Sequence, residues 1–161
     1  MGRWRIPVAC ALAAAAAPEV SVAMTLDEVV GIFRQSCLEQ LPDLSGSEAE
    51  FRRLGFVGES ILQKYDPDSF SIASVMVGGF YGASVCSMEG QLPAGSPIAE
   101  AVESAIRAST TADVVRSDEQ SREGPATAFE WEAGSLPVMV GAAERNNGLF
   151  YIVLFVGELP Q

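Results

Sequence analysis

The chain predicts an α+β protein, with helices packed on one face of a largely antiparallel sheet of about five strands. Three observations carry this. Apolar residues recur at helical spacing from Leu26 to Leu41, and the period changes to β-rich runs from Phe70. Three more strand-like runs, separated by glycine turns, close the sequence. The expected order is α-α-β-β-α-β-β-β.

Thr25-Leu26-Asp27-Glu28 is a capping box, in which the Thr25 hydroxyl and the Glu28 carboxylate satisfy orphan amides reciprocally. Leu26, Val29, Val30, Phe33, Cys37 and Leu41 then define one buried face, and Pro42 ends the helix. A second box, Ser47-Glu48-Ala49-Glu50, opens a short helix that stops at Gly55. Residues 56–68 fit either a helical turn or a short strand around Ile61, Leu62 and Tyr65, with Asp66-Pro67-Asp68 as a turn.

Phe70 to Val77 and Phe80 to Met88 read as a hairpin turning at Gly78-Gly79, with Val77 opposite Phe80. One face then carries Ser71, Ala73, Val75, Gly82, Ser84 and Cys86, small enough for a helix to approach closely. Cys86 faces the place where the first helix delivers Cys37. After a loop over Gly90 to Gly95, Ser96 caps a third helix with Pro97 at its first position. Ile98, Val102, Ala105 and Ile106 point inward from it.

Thr110 to Pro125 is polar and acidic, with a short strand expected at Val114-Val115 and an exposed, mobile loop from Arg116 to Gly124. Ala128 to Glu132 alternates, Phe129 and Trp131 against Glu130 and Glu132. Leu136 to Ala143 follows a Gly134-Ser135 turn, and Asn146-Asn147-Gly148 turns into Leu149 to Val156. That last run is apolar on both faces, the pattern of a central strand.

The length of 161 residues suits one domain, with no repeat or interdomain linker. Mean hydropathy is positive, and the first two dozen residues contribute much of it. They have the three parts of a secretory signal. Arg3 and Arg5 precede an alanine-rich stretch from Val8 to Ala17, and the segment ends Ser21-Val22-Ala23, with the small residues a signal peptidase reads. Cleavage between Ala23 and Met24 is expected, which divides the chain into a signal peptide, 1–23, and a single disulfide-stapled domain, 24–161. A retained anchor needs roughly 20 apolar residues, and Pro18 and Glu19 interrupt this run long before that. Stable membrane insertion after processing is therefore not expected. Nor is lipidation, because Cys10 lies inside the apolar stretch with Pro7 three positions before it.

Of 10 basic and 21 acidic residues, Arg3, Arg5 and Glu19 leave with the signal, so the mature domain keeps 8 and 20, a net of −12. Such a field repels nucleic acid and anionic headgroups, both of which require a basic face. It permits a cationic partner. The mature cysteines are Cys37 and Cys86, and an even pair in an exported domain is most simply one disulfide.

There is no His in the chain, which removes Ser-His-Asp and Cys-His hydrolysis and His-ligated metals. Two thiolates are too few for a structural zinc, and no phosphate loop or dinucleotide fingerprint is present; Gly78, Gly79 and Gly82 lack the spacing. No cofactor and no metal are expected. Ser60 and Lys64 share a helix face if that segment is helical, but a Ser-Lys pair needs a desolvated amine. Glu130 and Glu132 leave one strand on the same side, about 6–7 Å apart, a spacing acid/base pairs use; a solvated strand face gives the same pattern. Asp66 and Asp68 have too few neighbouring ligands for a calcium loop. Trp131 and the aromatics of the last strand serve core packing, or line a cleft between the sheet and the 110–125 segment.

The run Phe33-Arg34-Gln35-Ser36-Cys37-Leu38-Glu39-Gln40-Leu41-Pro42-Asp43, the cysteine in Val85-Cys86-Ser87 and the β-rich closing half are similar to small exported proteins common in alphaproteobacteria. The resemblance spans most of the mature chain. It implies a fold and a compartment, and it carries over no catalytic residue. The sequence thus points to a periplasmic, non-enzymatic domain that binds a protein or small molecule, with Glu130, Trp131 and Glu132 as cleft candidates. The alternatives are a carboxylate-dependent hydrolase and an envelope-assembly component.

Overall fold

Thr25 starts the first helix, α1 (Leu26–Ser36). Its hydroxyl accepts from the Glu28 amide at 3.2 Å, and its own amide donates to the Glu28 carboxylate at 2.7 Å. The computed structural model describes residues 24–66, 69–121, 124–145 and 148–158. The expected signal peptide with Ala23 lies outside them, as do Pro67, Asp68, Asn146 and Asn147.

α1 buries Val29, Ile32 and Phe33 and is shorter than the sequence predicts. Because Pro42 forbids helical backbone at the residue before it, the chain tightens after Cys37 into one 3-10 turn, Leu38–Gln40. The second helix, α2 (Ser47–Arg53), departs from expectation at its start. No capping box forms, for Gly46 holds the cap position, and the buried Ser47 hydroxyl has no partner among the described residues. The Ser47 amide is already used by the preceding turn, donating to Leu44 O at 3.1 Å. Its far end follows the pattern. Gly55 takes φ +94°, and the Gly55 and Phe56 amides return to Arg52 O and Phe51 O. The Phe51 and Phe56 rings, 5.2 Å apart, seal that end edge to face.

Seven strands, not five, form one antiparallel sheet: β1 (Leu62–Asp66), β2 (Ser69–Phe80), β3 (Ala83–Gln91), β4 (Val115–Ser121), β5 (Gly124–Ala133), β6 (Leu136–Glu144) and β7 (Leu149–Val156). Their order across the sheet is β1-β2-β3-β7-β6-β5-β4. Both additional strands are edges. β1 settles the ambiguous 56–68 segment in favour of a strand, pairing Leu62 with Ala73. β4 replaces most of the expected mobile loop and pairs along its whole length with β5. An edge strand with little apolar content on either face has no alternation to announce it, and its charges discourage unwanted pairing.

The β2–β3 hairpin turns at Tyr81-Gly82, not Gly78-Gly79, with Phe80 opposite Ala83. Tyr81 and Gly82 both take positive φ, 52° and 91°, as a two-residue turn matched to strand twist requires. Gly78 and Gly79 lie in an irregular stretch between Met76 and Phe80. The shift moves the partner of Cys86 from Ser71 to Val75, an even number of places. An even slip keeps every side chain on its own face, so Ser71, Ala73 and Cys86 are buried under the helices.

The third helix, α3 (Ile98–Ser109), buries Ile98, Val102, Ala105 and Ile106 against α1 and the sheet. Pro97 occupies the cap position, one place before the expected one, and Ser96 does not cap. Its hydroxyl donates instead to Pro93 O at 2.6 Å. β7 is the central strand; Phe150, Ile152, Leu154 and Val156 lie beneath the helices and Tyr151, Val153 and Phe155 on the opposite face. The Cys37 and Cys86 sulfurs are bonded at 2.01 Å and tie the end of α1 to β3.

The cross-link spans 49 positions, and a loop of that size stabilises by about 4 kcal/mol in the chain-entropy model. Urea unfolding of the Cys37→Ser/Cys86→Ser double variant is expected to show a loss of that order, with a lowered midpoint. An unchanged midpoint would mean the helix layer holds without the bond.

Candidate functional site

β5 alternates, so neighbouring residues serve opposite faces. Trp131 points to the helix side and is 6% exposed, opposite Val138 on β6. Glu130 and Glu132 point the other way, opposite Met139 and Pro137, and both are exposed. At this end of the sheet lies a cleft of about 620 Å³. Ala112, Asp113 and Val115 form one wall, where the chain passes from α3 into β4. Trp131 and Val138 line it from the helix side, and Glu130, Glu132 and Met139 border it from the opposite face. The Gly157 amide, which donates to Pro137 O at 2.9 Å, closes the floor beyond β7.

The structure brings the three cleft candidates to one cavity. It leaves both carboxylates exposed. Ser60 and Lys64 are not assembled. Ser60 lies in a bend and Lys64 on β1, so the helix face that would pair them does not form. The Lys64 ammonium is occupied elsewhere, donating to Leu54 O at 3.0 Å at the end of α2. The Asp66-Pro67-Asp68 turn falls partly outside the described residues. Among the described residues no group of three potential ligands gathers as a metal site, and no helix is long and apolar enough to cross a membrane.

Sequence reasoning missed the latch that holds β4 in place. Arg116 reaches from β4 to Glu103 on α3 at 2.6 Å and to Asp118 at 3.1 Å. Arg107 holds the same Glu103 at 2.9 Å, and the Thr127 hydroxyl donates to Asp118 at 2.8 Å. Hydrogen bonds from Arg116, then Arg107, keep Glu103 below the usual carboxylate range. Asp118 is lowered by Thr127 and then by Arg116. The Arg116 guanidinium is raised in turn, by Glu103 first and then Asp118. These partners lie 13 and 2 positions away from Arg116, and only the α3–β4 packing makes the first of them a neighbour.

No protein-family model, no curated protein and no solved structure matches this chain.

Depressed carboxyl pKa values contribute stability that is present above the unfolded-state values and lost as pH falls through the folded ones. Carbon-detected NMR titration of Arg116→Gln is expected to move Glu103 and Asp118 upward, neither completely, because Arg107 still holds Glu103 and Thr127 still holds Asp118. The acid-induced drop in thermal midpoint is expected to be smaller than in the wild type. Unmoved titrations would dissolve the latch.

Proposed function

We propose that this chain is an exported, non-enzymatic binding domain, cleaved after Ala23 and working in the periplasm. It takes an apolar small molecule, or an apolar side chain of a partner protein, in the Trp131 cleft. The observation that carries this is the cleft itself. Its volume, about 620 Å³, lies within the roughly 300–1,000 Å³ of small-molecule sites. Its lining combines an aromatic and aliphatic wall with a few carboxylates at the border, the composition such sites use to orient a ligand. The bonded Cys37–Cys86 pair is compatible with an oxidising compartment outside the cytoplasm.

The exposed Glu130 and Glu132 give the hydrolase reading little support. The open edge of β4 is the feature an envelope-assembly component would use for strand addition, yet Arg116, Asp118 and Glu119 along it oppose pairing.

Native mass spectrometry of the periplasmic fraction is expected to find a chain starting at Met24 and two hydrogens light. A full-length reduced chain would overturn the export reading. Trp4 leaves with the signal, so Trp131 becomes the sole tryptophan. Energy transfer from Trp131 to the neutral probe N-phenyl-1-naphthylamine is expected to saturate at one per chain and to disappear in Ala112→Leu, which fills the cleft. Transfer that never saturates, or survives that variant, places the probe elsewhere and removes the reading.

A further inference from the structure

Among the described residues the three helices pack on one face of the sheet, and no described element covers the other. Register arranges that second face into rows running across the strands. One row consists of small residues apart from Val153: Ser117, Ala128, Gly141, Val153, Ser87 and Ser74, from β4 to β2. The row on one side is larger, with Val115, Glu130, Met139, Phe155 and Val85. The row on the other side carries Glu119, Ala126, Ala143, Tyr151, Glu89 and Ile72. The result is a transverse trough of about 330 Å³ between β4 and β7, walled on one side by Glu130, Met139 and Phe155 and on the other by Glu119 and Tyr151, with a low gap between them at Ala126 and Ala143.

Its dimensions follow from sheet geometry. The walls are four residues apart along each strand, about 13 Å, and the enclosed part crosses four strands, about 14 Å. An α-helix with its side chains is about 10–12 Å wide, so one face of it enters between the wall side chains, and 14 Å is roughly ten residues of it. Gly141 has no side chain to raise the floor, and Val153 and the Tyr151 hydroxyl flank it, 3.4 and 3.8 Å from where a Cβ would stand. Beyond the trough, Phe80 packs 6.0 Å from Phe155 and extends the apolar surface to the exposed Met76.

Charge selects the occupant. No Lys or Arg stands in any of the three rows. Glu89 has Arg145 lining the same small hollow, whereas Glu119 and Glu130 stand on opposite walls at the β4–β5 end. We propose that this trough docks a cationic amphipathic helix of a partner protein. The apolar stripe of that helix lies along Ala128, Gly141 and Val153, and its basic flanks meet Glu119 and Glu130. The proposal goes beyond the Trp131 cleft, with which the trough shares Glu130 and Met139, and Gly141 separates the two.

The test uses the mature, disulfide-bonded chain and a labelled 18-residue helical peptide of Leu and Lys, with a Leu/Glu peptide of the same pattern as control. Fluorescence anisotropy is expected to show salt-sensitive binding of the Leu/Lys peptide only. Gly141→Val fills the floor with a strand-favouring side chain, so binding is expected to weaken at least tenfold while the thermal midpoint stays level or rises. Glu119→Gln/Glu130→Gln is expected to weaken it severalfold and to flatten the salt dependence. Asp27→Asn/Glu39→Gln/Glu48→Gln, on the helix side, is expected to stay within twofold. Equal binding of the Leu/Glu peptide, full binding by Gly141→Val, or a threefold loss in the helix-side control would overturn the proposal. So would a wild-type dimer that Gly141→Val dissociates, since a second copy would then occupy the trough. Saturable probe transfer from Trp131 is expected to survive Gly141→Val, so failure of the trough and failure of the cleft give different results.

Discussion

One-sided burial governs this structure. A seven-stranded sheet has two faces, and the helices cover one. The disulfide lies in the middle of that covered layer, where Cys37 and Cys86 are both fully buried. It joins the last turn of α1 to β3, next to the central strand. Cys86 stands opposite Val75 and diagonal to the small Ala73 on that face, and the helix comes close enough there for the bond to form. Removing the fit at either side opens a cavity in the best-packed part of the core.

The edges depend on that centre and are held by different means. At one end Lys64 ties β1 to the carbonyl end of α2. At the other, Arg116 connects β4 to α3 and rests 5.9 Å above the Phe129 ring. Neither tie involves much apolar burial, so each edge is fixed by directional contacts to helices that the core has already placed. Both cavities follow from this arrangement. The Trp131 cleft exists because the chain entering β4 stands off from the ends of β5 and β6, and the trough exists because none of the described elements covers the other face.

Legibility followed the physics of each segment. The core-facing residues of α1 and α3 are read directly from spacing, since burial of an amphipathic face leaves a period behind. β7 declares itself central by being apolar on both sides. β4 leaves no such trace, because Arg116, Ser117, Asp118 and Glu119 give both of its faces polar side chains. The hairpin is the instructive intermediate. Gly78-Gly79 has the composition of a tight turn, but the turn falls at Tyr81-Gly82, where β3 can pair with β7 and β2 together. The predicted face survived only because the slip was even.

Of the candidate site, Trp131 and its flanking carboxylates were visible as an alternation, and the cleft they border was not. A cavity is a property of what fails to pack, and no local pattern records it. The sequence by itself determined the helix faces, the cysteine pair, the charge and the absence of histidine chemistry, because these depend on residue identity and short-range spacing. Tertiary structure alone decided the two edge strands, the Arg116 latch and the row of small residues across four strands. Those depend on register between segments far apart in the chain, which pairing sets and local sequence does not.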